Sequence, residues 1–339
     1  MEHLIWAVDA FEEPVTGNRA VLESLKSLAQ VSPIRVTPVY ILGPVESALP
    51  LPRLYGDPAW MPEVRKAAER RLKEILPDKS RAPFLEEPQV IVHSATNIEE
   101  AVSFFASYAK SQRADALVVR SHGRTGVERF FVGSFAESLL FHSETPVFVF
   151  GAHAKKWPAK PHILLATDFG DHAKSAFRQT MRLSNQWGAH LTLFHAVAPP
   201  IEGGVDLEAH SRLYEYQGEF VSLRQILEDQ IKHQTERAEA WTEWALRDGI
   251  AADYMIDESG AGVENTILEA SRRREISLIV MSAQSGPVIS AILGSLTRRV
   301  IRGATCPVLV YPRKYFESLG KEADSGKNLP RREEDSLNV

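Results

Sequence analysis

Leu117–Phe150, LVVRSHGRTGVERFFVGSFAESLLFHSETPVFVF, returns as Leu278–Tyr311, LIVMSAQSGPVISAILGSLTRRVIRGATCPVLVY, a stretch of the same length. Each runs an apolar strand, a polar loop, a Gly-Ser pair opening a helix (Gly133-Ser134, Gly294-Ser295) and a strand introduced by proline (Pro146, Pro307). Upstream, IWAVDAF around Asp9 is echoed by LLATDFG around Asp168. The two echoes lie 161 and 159 residues apart, so a whole domain has been duplicated.

The elements between these anchors alternate. In the first copy, β-rich runs are expected at Leu4–Val8, Ile34–Leu42, Val90–His93, Ala116–Val119 and Val147–Phe150. Helical stretches separate them: one after Pro14, then about Met61–Leu76, Ile98–Lys110 and Ser134–Phe141. The second copy gives strands at Ile163–Thr167, Leu191–Val197, Ala252–Ile256, Ser277–Met281 and Val308–Tyr311, and a long helix over Phe220–Arg247 carrying Trp241 and Trp244. Strands alternating with helices predict an α/β fold, a parallel sheet covered on both faces. The expected division is one domain over 1–150, an exposed linker over 151–161 with the core WPAKP, and a second domain over 162–313. The charged segment 314–339 cannot bury enough apolar surface to order itself and is expected to be disordered.

Composition limits the partners. The chain has 339 residues, 44% of them hydrophobic, enough for two cores. A net charge of -5 gives no reason to expect nucleic acid. No apolar run approaches a membrane span, and MEHLIWAVDAFEE is acidic where a signal peptide needs basic residues. A soluble, cytoplasmic protein is expected. One cysteine, Cys306, excludes an internal disulfide, and the eleven histidines lack the close spacing of a zinc site, so no metal is expected.

In an open parallel sheet, ligands sit beyond the carboxyl ends of the strands where the strand order reverses. Asp9 and Asp168 end the first strands, where a carboxylate can accept from ribose hydroxyls or an adenine amine, or can cap the turn that follows. The loops after the fourth strands lead into helices opened by Gly-Ser. Free N–H groups there favour phosphate, though serine is also an ordinary N-cap. No G-x-S-x-G elbow, P-loop or G-x-G-x-x-G is present, and no catalytic residue is expected.

The strand order, the ATDF segment, the SHG…GS loop and the closing TPVFVF and CPVLVY strands resemble the universal stress protein family over nearly the whole chain. The resemblance implies two tandem five-stranded, Rossmann-like domains of the adenine nucleotide α-hydrolase-like type. It also implies that the two closing strands meet antiparallel across a pseudo-twofold axis, making an internal pseudo-dimer. A further homodimer then needs another surface, for which Trp241 and Trp244 are the candidates. ATP-binding members carry Gly, two residues, Gly, nine residues, then Gly-Ser or Gly-Thr. On the first copy this places Arg120 at the leading glycine and keeps Ser121, His122, Gly123, Gly133 and Ser134.

Arg120 is therefore either a bidentate phosphate ligand or a plug. His122 reads as a loop hydrogen-bonding residue, with no nucleophile beside it. On the gap-free alignment the second copy has Met281 and Gln284 at the two early glycines, keeping only Gly294-Ser295 beside Asp168. Its site is expected to be degenerate, with ATP confined to the first domain. The expected function is a stress-response regulatory module with an unknown protein or small-molecule partner. The rivals are a slowly hydrolysing ATPase and a scaffold for an apolar ligand or protein.

Overall fold

The computed structural model describes residues 1–11, 16–42, 61–93, 97–121, 134–151, 156–197, 213–216, 219–283 and 295–324. The first half contains β1 (His3–Ala7), α1 (Thr16–Val31), β2 (Arg35–Leu42), α2 (Met61–Ile75), β3 (Gln89–Val92), α3 (Ile98–Ser111), β4 (Ala116–Arg120), α4 (Ser134–His142) and β5 (Val147–Phe150). The second contains β6 (His162–Ala166), α5 (Asp171–Trp187), β7 (His190–Ala196), β8 (Leu213–Tyr216), β9 (Glu219–Ser222) and α6 (Leu223–Arg247). It continues with β10 (Ala252–Asp257), α7 (Val263–Arg273), β11 (Leu278–Ser282), α8 (Ser295–Gly303), β12 (Val308–Tyr311) and α9 (Arg313–Asp324).

Within the first half the strands lie in the order β3-β2-β1-β4-β5, and within the second in the matching order β10-β7-β6-β11-β12. All pairings among these five strands of each half are parallel. The halves join where β12 runs antiparallel to β5, Leu309 opposite Phe148. Ten strands thus form one sheet, and the two edges that single halves would leave open cover each other. Side chains alternate between a layer containing Ala116, Val118, Leu278 and Val280 and a layer containing Leu117, Val119, Ile279 and Met281.

Pro38 sits inside β2 at a position that explains the late start of β3. Val36 exchanges backbone bonds with Phe84 and Glu86, on the side of β2 where β3 later runs. Two residues on, Pro38 presents its nitrogen to that side with no hydrogen to give. The neighbouring chain leaves there and rejoins as β3 opposite Val39.

Four expectations need correction. The linker is not exposed throughout: Lys156 and Pro158–Lys160 are exposed, but the Trp157 ring is buried, its backbone N–H donates to Ser27 Oγ (2.8 Å) and its Nε1 to Ser24 Oγ (3.1 Å). Trp157→Ala is expected to speed proteolytic cleavage of residues 156–161 while leaving the far-UV CD spectrum unchanged, because the sheet does not depend on that ring. Residues 219–222 pair with 213–216 as a hairpin, so the long helix begins at Leu223 rather than Phe220. The chain from Lys314 to Asp324 is helical, not disordered, with the Tyr315 and Phe316 rings packed tilted against Tyr311. Finally, Trp241 does not face a partner: it is 7% exposed, stacked on Phe177 at 4.6 Å and edge-on to Phe169. Among the described residues no helix is long and apolar enough to cross a membrane.

Candidate functional site

Strand order reverses between β1 and β4 in the first half and between β6 and β11 in the second, so each half has a crevice at the carboxyl ends of these strands. The two aspartates stand there in the same conformation. Asp9 Oδ1 accepts from the Phe11 N–H at 2.9 Å, and Asp168 Oδ1 from the Gly170 N–H at 2.9 Å. One carboxylate oxygen of each is thus spent on closing the turn, the capping use of an aspartate at a strand end. Both residues remain exposed. The first turn is braced by Asn18, whose Nδ2 donates to the Asp9 carbonyl at 2.8 Å. The second is braced by Thr167, whose Oγ1 accepts from the Phe169 N–H.

Arg120 ends β4, and its guanidinium lies against Gly17 in the first turn of α1. A Cβ at Gly17 would run into that guanidinium. The side chain therefore crosses from the fourth strand to the helix after the first strand, spanning the crevice beside Asp9. Ser121 is used by the fold: its N–H and its Oγ both donate to the Phe150 carbonyl, at 2.9 and 3.3 Å. His122, Gly123, Gly133 and Gly294 lie outside the described residues. Ser134 and Ser295 open α4 and α8 as expected, and Ser295 Oγ accepts from Arg299 Nη2 at 3.4 Å.

The second half corrects the gap-free alignment. Ala116 pairs with Leu4, whereas Leu278 pairs with Ile163, the equivalent of Leu4. At the other side Arg120 stands opposite Phe150, and Ser282 opposite Tyr311. The structural counterpart of Arg120 is therefore Ser282, and Met281 matches Val119. A one-residue slip moves a side chain to the other face of a strand. Met281, 2% exposed, packs in the core layer and takes no room in the crevice. The segment between β11 and α8 is one residue shorter than that between β4 and α4, which restores the alignment at the helices.

Sequence reasoning missed Gly17, Ser282, Phe169 and His195. Phe169 holds a left-handed φ of 54° with its ring in the core. A non-glycine residue rarely adopts that backbone, and the buried ring against Trp241 compensates for it. His195, near the end of β7, donates from Nδ1 to the Thr167 carbonyl at 2.7 Å and so fixes the end of β6.

At the opposite end of the sheet, His162, His190 and Asp253 bring ligand atoms within 4.8 Å of one another. The cluster is already satisfied by protein groups. Thr192 Oγ1 lies 2.8 Å from His162 Nε2 and donates to Asp253 Oδ1, while Arg274 Nη1 donates to Asp253 Oδ2, both at 2.6 Å. Burial alone would raise the Asp253 carboxyl, but the bonds from Thr192 and Arg274 hold it below its ordinary value. A cation would have to displace both neighbours.

Burial holds the imidazoles of His3, His162 and His195 below their ordinary value of 6.5. The unfolded chain then takes up protons that the folded chain resists. The stability they contribute is complete above 6.5 and is lost as pH falls through the depressed folded values. The unfolding midpoint is expected to drop as pH falls below about 6.5. His195→Asn should flatten part of that slope, and a midpoint rising on acidification would contradict it.

A family model described as "Universal stress protein family" matches residues 1–151 and again 161–312. The "Universal stress protein in QAH/OAS sulfhydrylase 3'region" of Thermus aquaticus is 32% identical over 150 residues, which is 44% of this chain and 96% of that protein. A universal stress protein structure from Archaeoglobus fulgidus covers 91% of this chain and 98% of its own at 18% identity and a TM-score of 0.61. A functionally unknown protein from Pseudomonas aeruginosa PAO1 covers 96% and 97% at 12% identity and a TM-score of 0.57. At these identities the structures establish the fold alone. An Archaeoglobus fulgidus universal stress protein in complex with dAMP covers 44% of this chain at a TM-score of 0.31, too slight a likeness to carry a ligand across.

Proposed function

The chain belongs to the universal stress protein family, and from that premise we propose that it is a stress-response binding module of the cytoplasm rather than a catalyst. In this reading residues 1–150 and 162–313 are its two domains. Its first crevice retains the parts of an adenine-nucleotide site, Asp9, Ser121–Gly123 and Gly133-Ser134, behind a plug. The carrying observation is Arg120 laid against Gly17, across the space that a leading glycine would leave to a ribose and its phosphates. The guanidinium must leave before a nucleotide enters, so ATP binds weakly and the resting module is empty. A regulated partner or metabolite that moves Arg120 would switch it.

A second reading has its own support. Ser282, not Met281, faces the second crevice, so Met281 does not fill it. Asp168 stands beside it and Ser295 opens α8, but the glycine-to-glycine loop of the family pattern is lost. That crevice suits a small polar ligand better than a triphosphate.

Denaturing the purified protein and identifying released small molecules by mass spectrometry tests both. The expected result is substoichiometric adenine nucleotide from the natural chain and more from Arg120→Gly. Stoichiometric ATP from the natural chain would refute the plug.

A further inference from the structure

The seam between the halves carries a feature that duplication alone does not produce. In an exact dimer of identical halves, the residue on the twofold axis meets its own copy. Here the axis passes between Phe148 and Leu309, which are equivalent positions in β5 and β12 and stand opposite each other. It also passes between Glu137 of α4 and Arg298 of α8. These two are equivalent, because α4 and α8 begin at matching serines and bury matching positions, Ala136, Leu139 and Leu140 against Thr297, Val300 and Ile301. Arg298 Nη1 lies 3.9 Å from Glu137 Oε2, with side chains 28% and 26% exposed.

Both self-meeting positions are therefore occupied by unlike residues. Were the first half paired with a copy of itself, Glu137 would face Glu137 and Phe148 would face Phe148 in a fully buried strand pair. Were the second half paired with itself, Arg298 would face Arg298 and two Leu309 side chains would leave the volume of a ring unfilled. A third asymmetry lies beside them. Phe148 stacks on Trp187 of the second half at 6.3 Å, and Trp187 also takes the ring of Trp157 from the linker at 5.3 Å. Leu309 has no ring with which to make the reciprocal contact.

We propose that the seam is addressed: each half's closing edge is built to take the other half and to reject a copy of itself. Specificity is a difference of affinities, and like charges on the axis supply the repulsive part. The α4 and α8 helices that meet at this contact are the ones following the two loops of the candidate site, so the address also fixes how the two crevices face.

The test uses the full chain with a protease site placed between Gly151 and Lys156 and cut after folding. The cut protein is incubated in denaturant below its unfolding midpoint, so that pieces exchange, and then weighed by native mass spectrometry. The expected species is one amino-terminal piece with one carboxyl-terminal piece, in at least roughly ten-fold excess over either homopair. Homopairs of comparable abundance would overturn the proposal, and so would separate monomers alone. In the uncut chain, Glu137→Arg and Arg298→Glu should each lower the unfolding midpoint by roughly 2 °C or more. The double reversal should recover most of that loss, and a double variant no better than the worse single one would remove the charges from the account.

Discussion

Leu309→Asp is expected to yield no folded protein at ordinary temperature. Leu309 is 0% exposed in β12, between β11 and β5, at the centre of the ten-stranded sheet. A carboxylate there would be ionised, dry and without a partner, or would have to take up a proton to avoid that. Single substitutions that cost more than about 4–5 kcal/mol come from such burial, and a typical chain has only about 5–15 kcal/mol to lose. Leu309→Met keeps volume and polarity and should cost under about 1.5 kcal/mol. Circular dichroism and solubility of the pair check this. A folded Leu309→Asp chain would mean that the two halves do not meet through β12 and β5.

Trp241→Ala carries the next largest effect, about 3–5 kcal/mol, the usual range for truncating a buried aromatic ring. The indole stacks on Phe177 and supports Phe169, whose left-handed backbone depends on a buried ring. Losing Trp241 should loosen the turn that presents Asp168 as well as the packing of α6. Denaturant unfolding followed by fluorescence measures the loss. Sedimentation of the folded variant should be unchanged from the natural chain, because the ring packs inside its own half. Trp244, only partly buried under Arg178, should tolerate substitution better.

The alternation of elements was legible because strands buried on both faces read as unbroken apolar runs, such as VFVF and VLVY. That same property hid the register of β11. LIVM has no polar alternation to show which face each side chain takes, and only the pairing with Ile163 and Tyr311 makes Ser282 rather than Met281 the counterpart of Arg120. Arg120 was legible as the odd residue in a glycine position. Its resting place was not, since Gly17 lies over a hundred residues away and is ordinary in its own context. The roles of Asp9 and Asp168 were left open by their position at strand ends. The bonds to Phe11 and Gly170 show that turn closure uses one oxygen of each. Composition misled at the carboxyl terminus, where Tyr315 and Phe316 anchor a helix that its charged neighbours obscure.

The plug is tested most directly by calorimetric titration of ATP into the natural chain, Arg120→Gly and Ser282→Arg. Removing a residue that must swing aside raises the fraction of open molecules, and the apparent affinity rises by the same factor as that fraction. Arg120→Gly is predicted to bind ATP about ten-fold or more tightly than the natural chain. Ser282→Arg should bind it as the natural chain does, because that change plugs only the second crevice. Weaker binding by Arg120→Gly would make the arginine a phosphate ligand and contradict the account.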